Sequence, residues 1–318
     1  MASITVAAIG DLLMKAPIIA SARKSKTNSY AFGPMFAKVA PSLRNNDIMI
    51  GNLETTFSGT PKQLGKYETR APRTGYPAFN CPDTLASTLK RCGFDLMTTA
   101  NNHCMDGGSA GLRRTLRILD QHGLKHTGTA RTPAESRKKT IITAKGIRVG
   151  VLSYTLGTNS IPVPKPYMVN KIYEKKMIAD LASLRQRTDF IIVCVHFGKE
   201  FQRTPNAKQR HIVQLLFRNG ANAVLGAHPH VLQPVVLKKV TDKRGVTKRR
   251  VAAYSLGNFI STKLRKNPYT QQGLILKLKI HKDAQGRTDL TGITRVRTKV
   301  RTSVVNGRKV YRVVPAGN

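Results

Sequence analysis

Seven polar residues stand directly behind short apolar runs: Asp11, Glu54, Asn102, His103, His196, His228 and His230. They include four of the chain's eight histidines. Carboxylate and amide oxygens combined with imidazole nitrogens, without a thiolate, form a donor set for Zn, Mn or Fe rather than for a structural zinc site. The sharpest local motif is His228-Pro229-His230, whose two imidazoles in an extended turn could serve neighbouring ions. Ions held in this way activate water and stabilise charge on a reacting centre. His103 is placed to hand a proton to a leaving oxygen. Taken singly, each of these residues also fits a turn or a cap, and Asn101-Asn102 or Gly257-Asn258 alone would be turns. Their ordered conjunction is what points to chemistry.

The same runs predict the elements that position these groups. Residues 4–9, 47–50, 94–99, 190–195, 223–225 and 251–254 are short, apolar and rich in β-branched side chains, which favours buried strands. Between them, residues 109–123 place Leu112, Leu116 and Leu119 at helical spacing, with Gly123 as the stop. Residues 83–91 form a second helix, and Thr204-Pro205 reads as the start of a third that Gly220 closes. Strands alternating with helices predict an α/β architecture. In open α/β sheets, sites gather beyond the carboxyl ends of the strands. Six segments would therefore deliver their polar groups to one edge. Residues 161–166 are a Pro-rich loop. Near the end of the chain, residues 271–280 and 294–301 alternate as strands, and Asn306-Gly307 predicts a hairpin turn before 308–314.

Composition bounds what these elements serve. The 318 residues contain 54 Lys+Arg against 16 Asp+Glu, a net charge of +38. Such an excess attracts polyanions and says nothing about fold. Apolar residues make up 40%, enough for a core and against extensive disorder. No run of 18 apolar residues predicts a membrane helix. The first 14 residues lack the basic region and cleavage pattern of a signal peptide. Cys81, Cys92, Cys104 and Cys194 form no CxxC pair, which argues against a disulfide framework. The charge is uneven: residues 231–318 carry 21 bases and 3 acids, about twice the density of the preceding 230. There, Arg295, Arg297, Lys299 and Arg301 alternate with small residues and should share one strand face, followed by Arg308, Lys309 and Arg312 after the hairpin. Seven cations on one ribbon without acids predict a polyanion-binding surface. Trp is absent and Tyr311 is the ribbon's one aromatic residue, which argues against base stacking. No helix-turn-helix, zinc-finger or RRM pattern is visible.

The motif order carries a family resemblance. Residues 8–14 (AIGDLLM), 50–55 (IGNLET), 75–80 (GYPAFN) and 99–106 (TANNHCMD) contribute to it. So do 125–131 (KHTGTAR), 195–201 (VHFGKEF), 226–234 (GAHPHVLQP) and 254–259 (YSLGNF). Over about residues 3–280 the sequence resembles the CapA/PgsA family of poly-gamma-glutamate capsule biosynthesis proteins, which has a calcineurin-like metallophosphatase fold. The resemblance implies a four-layer α/β-β/α sandwich over residues 1–280, with 281–318 as a basic β-hairpin extension packed on the same domain. It implies one or two divalent ions (Mn, Fe or Zn) at Asp11, Glu54, Asn102, His196, His228 and His230. His103 matches the family's catalytic histidine. Asp106 would orient His103, and Glu200 would support the His196 loop. Asn52 stands where related phosphatases often carry a bridging Asp. There are three departures: Lys15 replaces a histidine of close relatives, Phe197 replaces the usual tryptophan, and the start of the chain shows no anchor. Lys15 would bring a cation to the ions, either weakening their occupancy or receiving an anionic substrate.

Three functions follow as expectations. The first is a metal-dependent, phosphoesterase-like hydrolase in anionic capsule polymer synthesis. The second is a non-catalytic component that binds poly-gamma-glutamate for assembly or transport. The third, carried by charge alone, is association with nucleic acid. The resemblance also implies a cell-surface setting and a capsule-synthesis membrane complex, although the start of the chain shows no anchor.

Overall fold

The computed structural model describes residues 1–24, 29–62, 66–71 and 74–317. Its strands are β1 (Ala2–Leu12), β2 (Ile48–Asn52), β3 (Glu68–Arg70), β4 (Pro77–Phe79), β5 (Leu96–Thr98), β6 (Lys125–Thr127), β7 (Thr140–Ala144) and β8 (Ile147–Thr155). They continue as β9 (Phe190–His196), β10 (Ala223–Ala227), β11 (Val235–Thr241), β12 (Thr247–Ala253), β13 (Asn258–Ile260), β14 (Gln272–Lys282), β15 (Thr288–Val305) and β16 (Arg308–Pro315). One sheet has the order β16-β15-β14-β1-β2-β5-β6, with β13 beside β1, and the other has the order β11-β12-β10-β9-β8-β7. β3 and β4 form a separate small ribbon.

The apolar pattern assembles these sheets into four layers. Ile4, Val6 and Ala8 alternate with Ala7 and Ile9 along β1, so the strand buries both faces. The first set joins Ile192, Leu225 and Val251 of the other sheet in the core between the sheets. The second set packs outward against the short helix Ala16–Ala22 and helices Thr84–Arg91 and Gly108–Gln121. On the far side, helices Glu174–Arg185 and Ala207–Arg218 cover the second sheet through Leu181, Leu184, Ile212 and Leu216. Residues 281–318 lengthen β14 and add β15 and β16 to the edge of the first sheet. This is the α/β-β/α sandwich with a β-rich C-terminal region. Among the described residues no helix is long and apolar enough to cross a membrane.

Two local readings change. The helix expected from Thr204-Pro205 begins at Ala207, with Asn206 as its cap. Asn206 Oδ1 accepts the Gln209 N–H at 2.9 Å while Gln209 Oε1 accepts the Asn206 N–H at 3.0 Å. This reciprocal pair satisfies two helix-end donors, which Pro205 cannot do. The basic ribbon also divides. In the β15–β16 register Arg301 faces Arg312 and Val305 faces Arg308, so these arginines share a face with Arg295, Arg297 and Lys299. Lys309 faces Val304 on the opposite side, because side chains alternate along a strand.

Candidate metal centre

The parallel strands β1, β2, β9 and β10 end at one edge, and their last residues or the loops behind them bring the polar groups together. β1 reaches this edge only because residue 10 is glycine. A Cβ there would lie 1.9 Å from the Gly257 carbonyl oxygen. That close approach lets the Asp11 N–H donate to Gly257 O at 3.0 Å.

Asp11 is fully buried, with Oδ1 accepting from Asn52 Nδ2 at 2.8 Å and Oδ2 lying 3.2 Å from His230 Nδ1. Burial alone would raise its pKa. The hydrogen bond and charge of His230, together with His196 and Asn52, overcome this and hold it down at about 2. Glu54 is also fully buried, but neither of its oxygens has a hydrogen-bond partner. Its oxygen Oε1 lies 3.4 Å from His196 Nε2 and 3.9 Å from His230 Nε2. Burial first, and then the neighbouring Asp11, push its pKa well above the carboxylate range.

The imidazoles divide in the same way. Burial, and then the neighbouring His228, drive His196 well below the ordinary histidine range. Burial and His230 hold His228 down at about 4. His230 is lowered by burial but raised more by Asp11, and ends above the ordinary value. His228 Nδ1 is buried without a partner. Three groups of donor atoms lie within 4.8 Å of one another: Asp11-Glu54-His230, Glu54-His196-His228, and Glu200-His228-His230. They overlap through Glu54, His228 and His230. Oxygen and imidazole donors of this kind suit a pair of divalent ions. The unsatisfied Glu54 oxygens and His228 Nδ1 are what such ions would engage, since buried polar atoms ordinarily have partners.

Neighbouring residues fix the orientation of these groups. Asn102 Oδ1 lies 2.8 Å from His196 Nε2, so both address the same point as Glu54. Asn258, which reads as a plain turn residue in the sequence, is fully buried. Its amide donates to His230 O at 3.3 Å and Thr270 O at 2.8 Å. Its oxygen therefore faces His230 Nδ1 at 3.0 Å, leaving Nε2 free toward Glu54. Asn52 holds Asp11 through its amide nitrogen, and its oxygen accepts from Thr98 Oγ1 at 3.2 Å. His103 Nδ1 donates to Asp106 Oδ2 at 2.7 Å, and the same oxygen accepts the Phe79 N–H at 2.6 Å. The Phe79 ring packs 4.4 Å from the imidazole. Asn159 bridges this group to the others, accepting from Asn102 Nδ2 at 3.1 Å and lying 3.5 Å from His103 Nε2.

Lys15 does not reach the cluster as a free cation. Its ammonium pairs with Glu68 at 3.2 Å and lies over the Phe79 ring at 5.2 Å, so its charge is already engaged. Phe197 is buried in the outer core of the second sheet. Glu200 sits with His228 and His230 as a candidate ligand, a place its distance from them in sequence conceals. Asn159 and Asn258 were concealed because turn residues and buried amides have the same signature in sequence.

Comparison with known proteins now adds to the geometry. The family description "Bacterial capsule synthesis protein PGA_cap" matches residues 5–263. The chain is 25% identical over 263 residues to the capsule biosynthesis protein CapA of Bacillus anthracis, covering 81% of this chain and 59% of that protein. It is 26% identical over 292 residues to the PGA biosynthesis protein CapA of Bacillus subtilis (strain 168), covering 90% of this chain and 70% of that one. Among solved structures, it superposes on a 5′-nucleotidase precursor from Thermus thermophilus with a TM-score of 0.52 at 13% identity, covering 98% of this chain and 55% of that one. A putative 5′-nucleotidase from Staphylococcus aureus gives 0.54 at 13%, covering 100% and 55%. These two likenesses establish the metallophosphatase-type fold.

Proposed function

Because the chain belongs to the PGA_cap family of bacterial capsule synthesis proteins, we propose that it is a metal-dependent hydrolase of the phosphoesterase type, working in the synthesis of an anionic capsule polymer such as poly-gamma-glutamate. The observation that carries this reading is the set of three overlapping donor groups joined through His228, His230 and the unsatisfied Glu54 carboxylate. Asp11, Glu54, Asn102, Glu200, His196, His228 and His230 would hold the ions. Bound divalent ions would supply Lewis acidity and an activated water. His103 acts as the general acid: Asp106 accepts from Nδ1 and Asn159 Nδ2 lies 3.5 Å from Nε2, which leaves Nε2 as the ring atom that would exchange a proton with a leaving group. The Phe79 ring covers the imidazole and limits its motion.

The test is elemental analysis of the purified protein combined with a screen of phosphomonoesters and phosphodiesters. His228→Ala/His230→Ala should remove both bound metal and turnover. Turnover that survives this change sinks the hydrolase reading. A second reading, a non-catalytic binder of the polymer, is favoured by the one-sided cationic face of β15–β16. It predicts salt-sensitive poly-gamma-glutamate binding without turnover.

A further inference from the structure

Next to the metal centre, two loops are interlocked by crossed cation–aromatic pairs. The loop behind β9 carries Phe201 and Arg203, and the segment between β13 and β14 carries Arg265 and Tyr269. The Arg265 guanidinium lies 5.3 Å from the Phe201 ring centroid, and that of Arg203 lies 4.3 Å from the Tyr269 ring centroid. Each loop thus lends the other one cation and one ring. The pair hangs on the histidine turn: the Phe201 N–H donates to Pro229 O at 2.8 Å, and the Phe201 ring is 6.2 Å from the His230 ring.

The backbone is strained at the same place. Among the described residues nine that are not glycine have positive φ. Five are Phe201 (66°), His228 (98°), His230 (57°), Arg265 (45°) and Lys266 (59°). Asn159 and Ser160, on the loop touching Asn102 and His103, make seven. The remaining two, Lys145 and Asn306, precede glycines in hairpin turns. Strain gathered at one spot marks clamps and active sites.

We infer that Arg203 and Arg265 form a two-armed clamp for the anionic groups of a flexible, base-free polymer, placed between the cationic face of β15 and the metal centre. Stacking on a ring fixes the plane of a guanidinium and leaves its edge N–H groups free for bidentate recognition of carboxylate or phosphate. Among the described residues no carboxylate forms an ion pair with either arginine. The clamp adjoins the cationic strand: Gln271 Nε2 donates to Val300 O at 3.5 Å, and Arg295 Nη2 donates to Val235 O at 3.3 Å just beyond the histidine turn. A guanidinium already lies over one face of each ring, which leaves each ring one face fewer for a nucleobase to stack on. This argues for an acidic polymer over a nucleic acid. The inference rests on the proposed hydrolytic site only for what happens after the polymer is bound.

The test uses the full chain and a fluorescent γ-linked glutamate oligomer, with binding followed by anisotropy over a salt series. Arg203→Ala/Arg265→Ala should weaken binding about tenfold or more and reduce the salt slope by between one and two. Arg203→Lys/Arg265→Lys keeps the charge but not the planar fork, and should still bind at least about threefold more weakly than wild type. Unchanged affinity and slope in the alanine variant overturns the clamp, as does wild-type protein preferring single-stranded DNA of equal charge. Metal content and phosphoester turnover of the wild type separately decide the hydrolytic reading.

Discussion

A carboxylate enclosed with neither oxygen hydrogen-bonded, as in Glu54, is a cost to the metal-free fold. Asp11 beside it makes this worse, because two carboxylates in one site cannot both ionise easily. Asp11 takes the hydrogen-bonding partners, His230 and Asn52, and Glu54 is left with the His196 and His230 rings at 3.4 and 3.9 Å and no hydrogen bond. A divalent cation would complete the arrangement and favour the ionised form of Glu54. Glu54→Gln, which keeps the shape and removes the charge, should therefore act in opposite directions with and without metal. In the presence of a chelator the variant should be more stable than wild type, by about 1–3 kcal/mol. With excess divalent metal the order should reverse, since wild type gains stability by mass action and the variant binds the ion more weakly. Paired thermal melts with and without chelator measure both halves. The same sign in both conditions would contradict a ligand role for Glu54.

At the scale of elements, Asp189 ties the two sheets together at the end opposite the metal centre. Its carboxylate accepts from the backbone N–H of Arg148 at 2.8 Å and from its guanidinium at 3.1 and 3.2 Å, at the start of β8. It also accepts from Lys282 of β14, in the other sheet, at 3.2 Å. Burial would raise its pKa, but the bonds to Arg148 and Lys282 hold it down at about 2. A lowered carboxylate pKa adds stability that is present above the unfolded value of 3.8 and is lost as pH falls toward 2. The full displacement is worth at most about 2.5 kcal/mol, and solvent around the half-exposed Arg148 screens this to about 1 kcal/mol. Asp189→Asn should cost about that much near neutral pH in urea unfolding, with the gap to wild type closing across that acid window. A gap independent of pH would mean the carboxylate's charge is not what matters. Elements of this kind differ in how far they can be read from the chain. The strands behind Asp11, Glu54, His196 and His228 were legible because a buried parallel strand is an unbroken apolar run. The Asn306-Gly307 hairpin was legible because its turn demands positive φ at both residues, found at 49° and 72°. β7 and β8 join through Lys145-Gly146, a turn of the same kind that passed unnoticed because Lys145 is an unusual residue for it. The tie made by Asp189, like the roles of Asn258 and Glu200, depends on pairings between distant segments that no local pattern carries.

For the whole molecule, the unresolved tension is the net charge of +38 on a compact fold. Among the described residues no ion pair engages Arg295, Arg297, Lys299, Arg301, Arg308 or Arg312. Along β15 the four cations repeat every second residue, about 7 Å apart on one face, and Arg301 stands directly opposite Arg312. At that spacing in water each neighbouring pair repels by about 0.6 kcal/mol. The layered cores hold the sheet together against this repulsion, and salt weakens it. Raising ionic strength from about 10 mM to about 150 mM shortens the Debye length from about 30 Å to about 8 Å, which isolates the more distant cations from one another. Stability should therefore rise over this range. Arg301→Gln should be more stable than wild type at the low end by about 0.5–1 kcal/mol and close to equal at the high end. Because an anion bound to this face would remove the same repulsion, added poly-gamma-glutamate at low salt should raise the melting temperature of wild type more than that of the variant. Thermal unfolding at the two ionic strengths, with and without the polymer, reads all three effects. Stability that falls with salt, or a polymer effect equal in both proteins, would mean that the β15–β16 face is not where the chain's excess charge is answered.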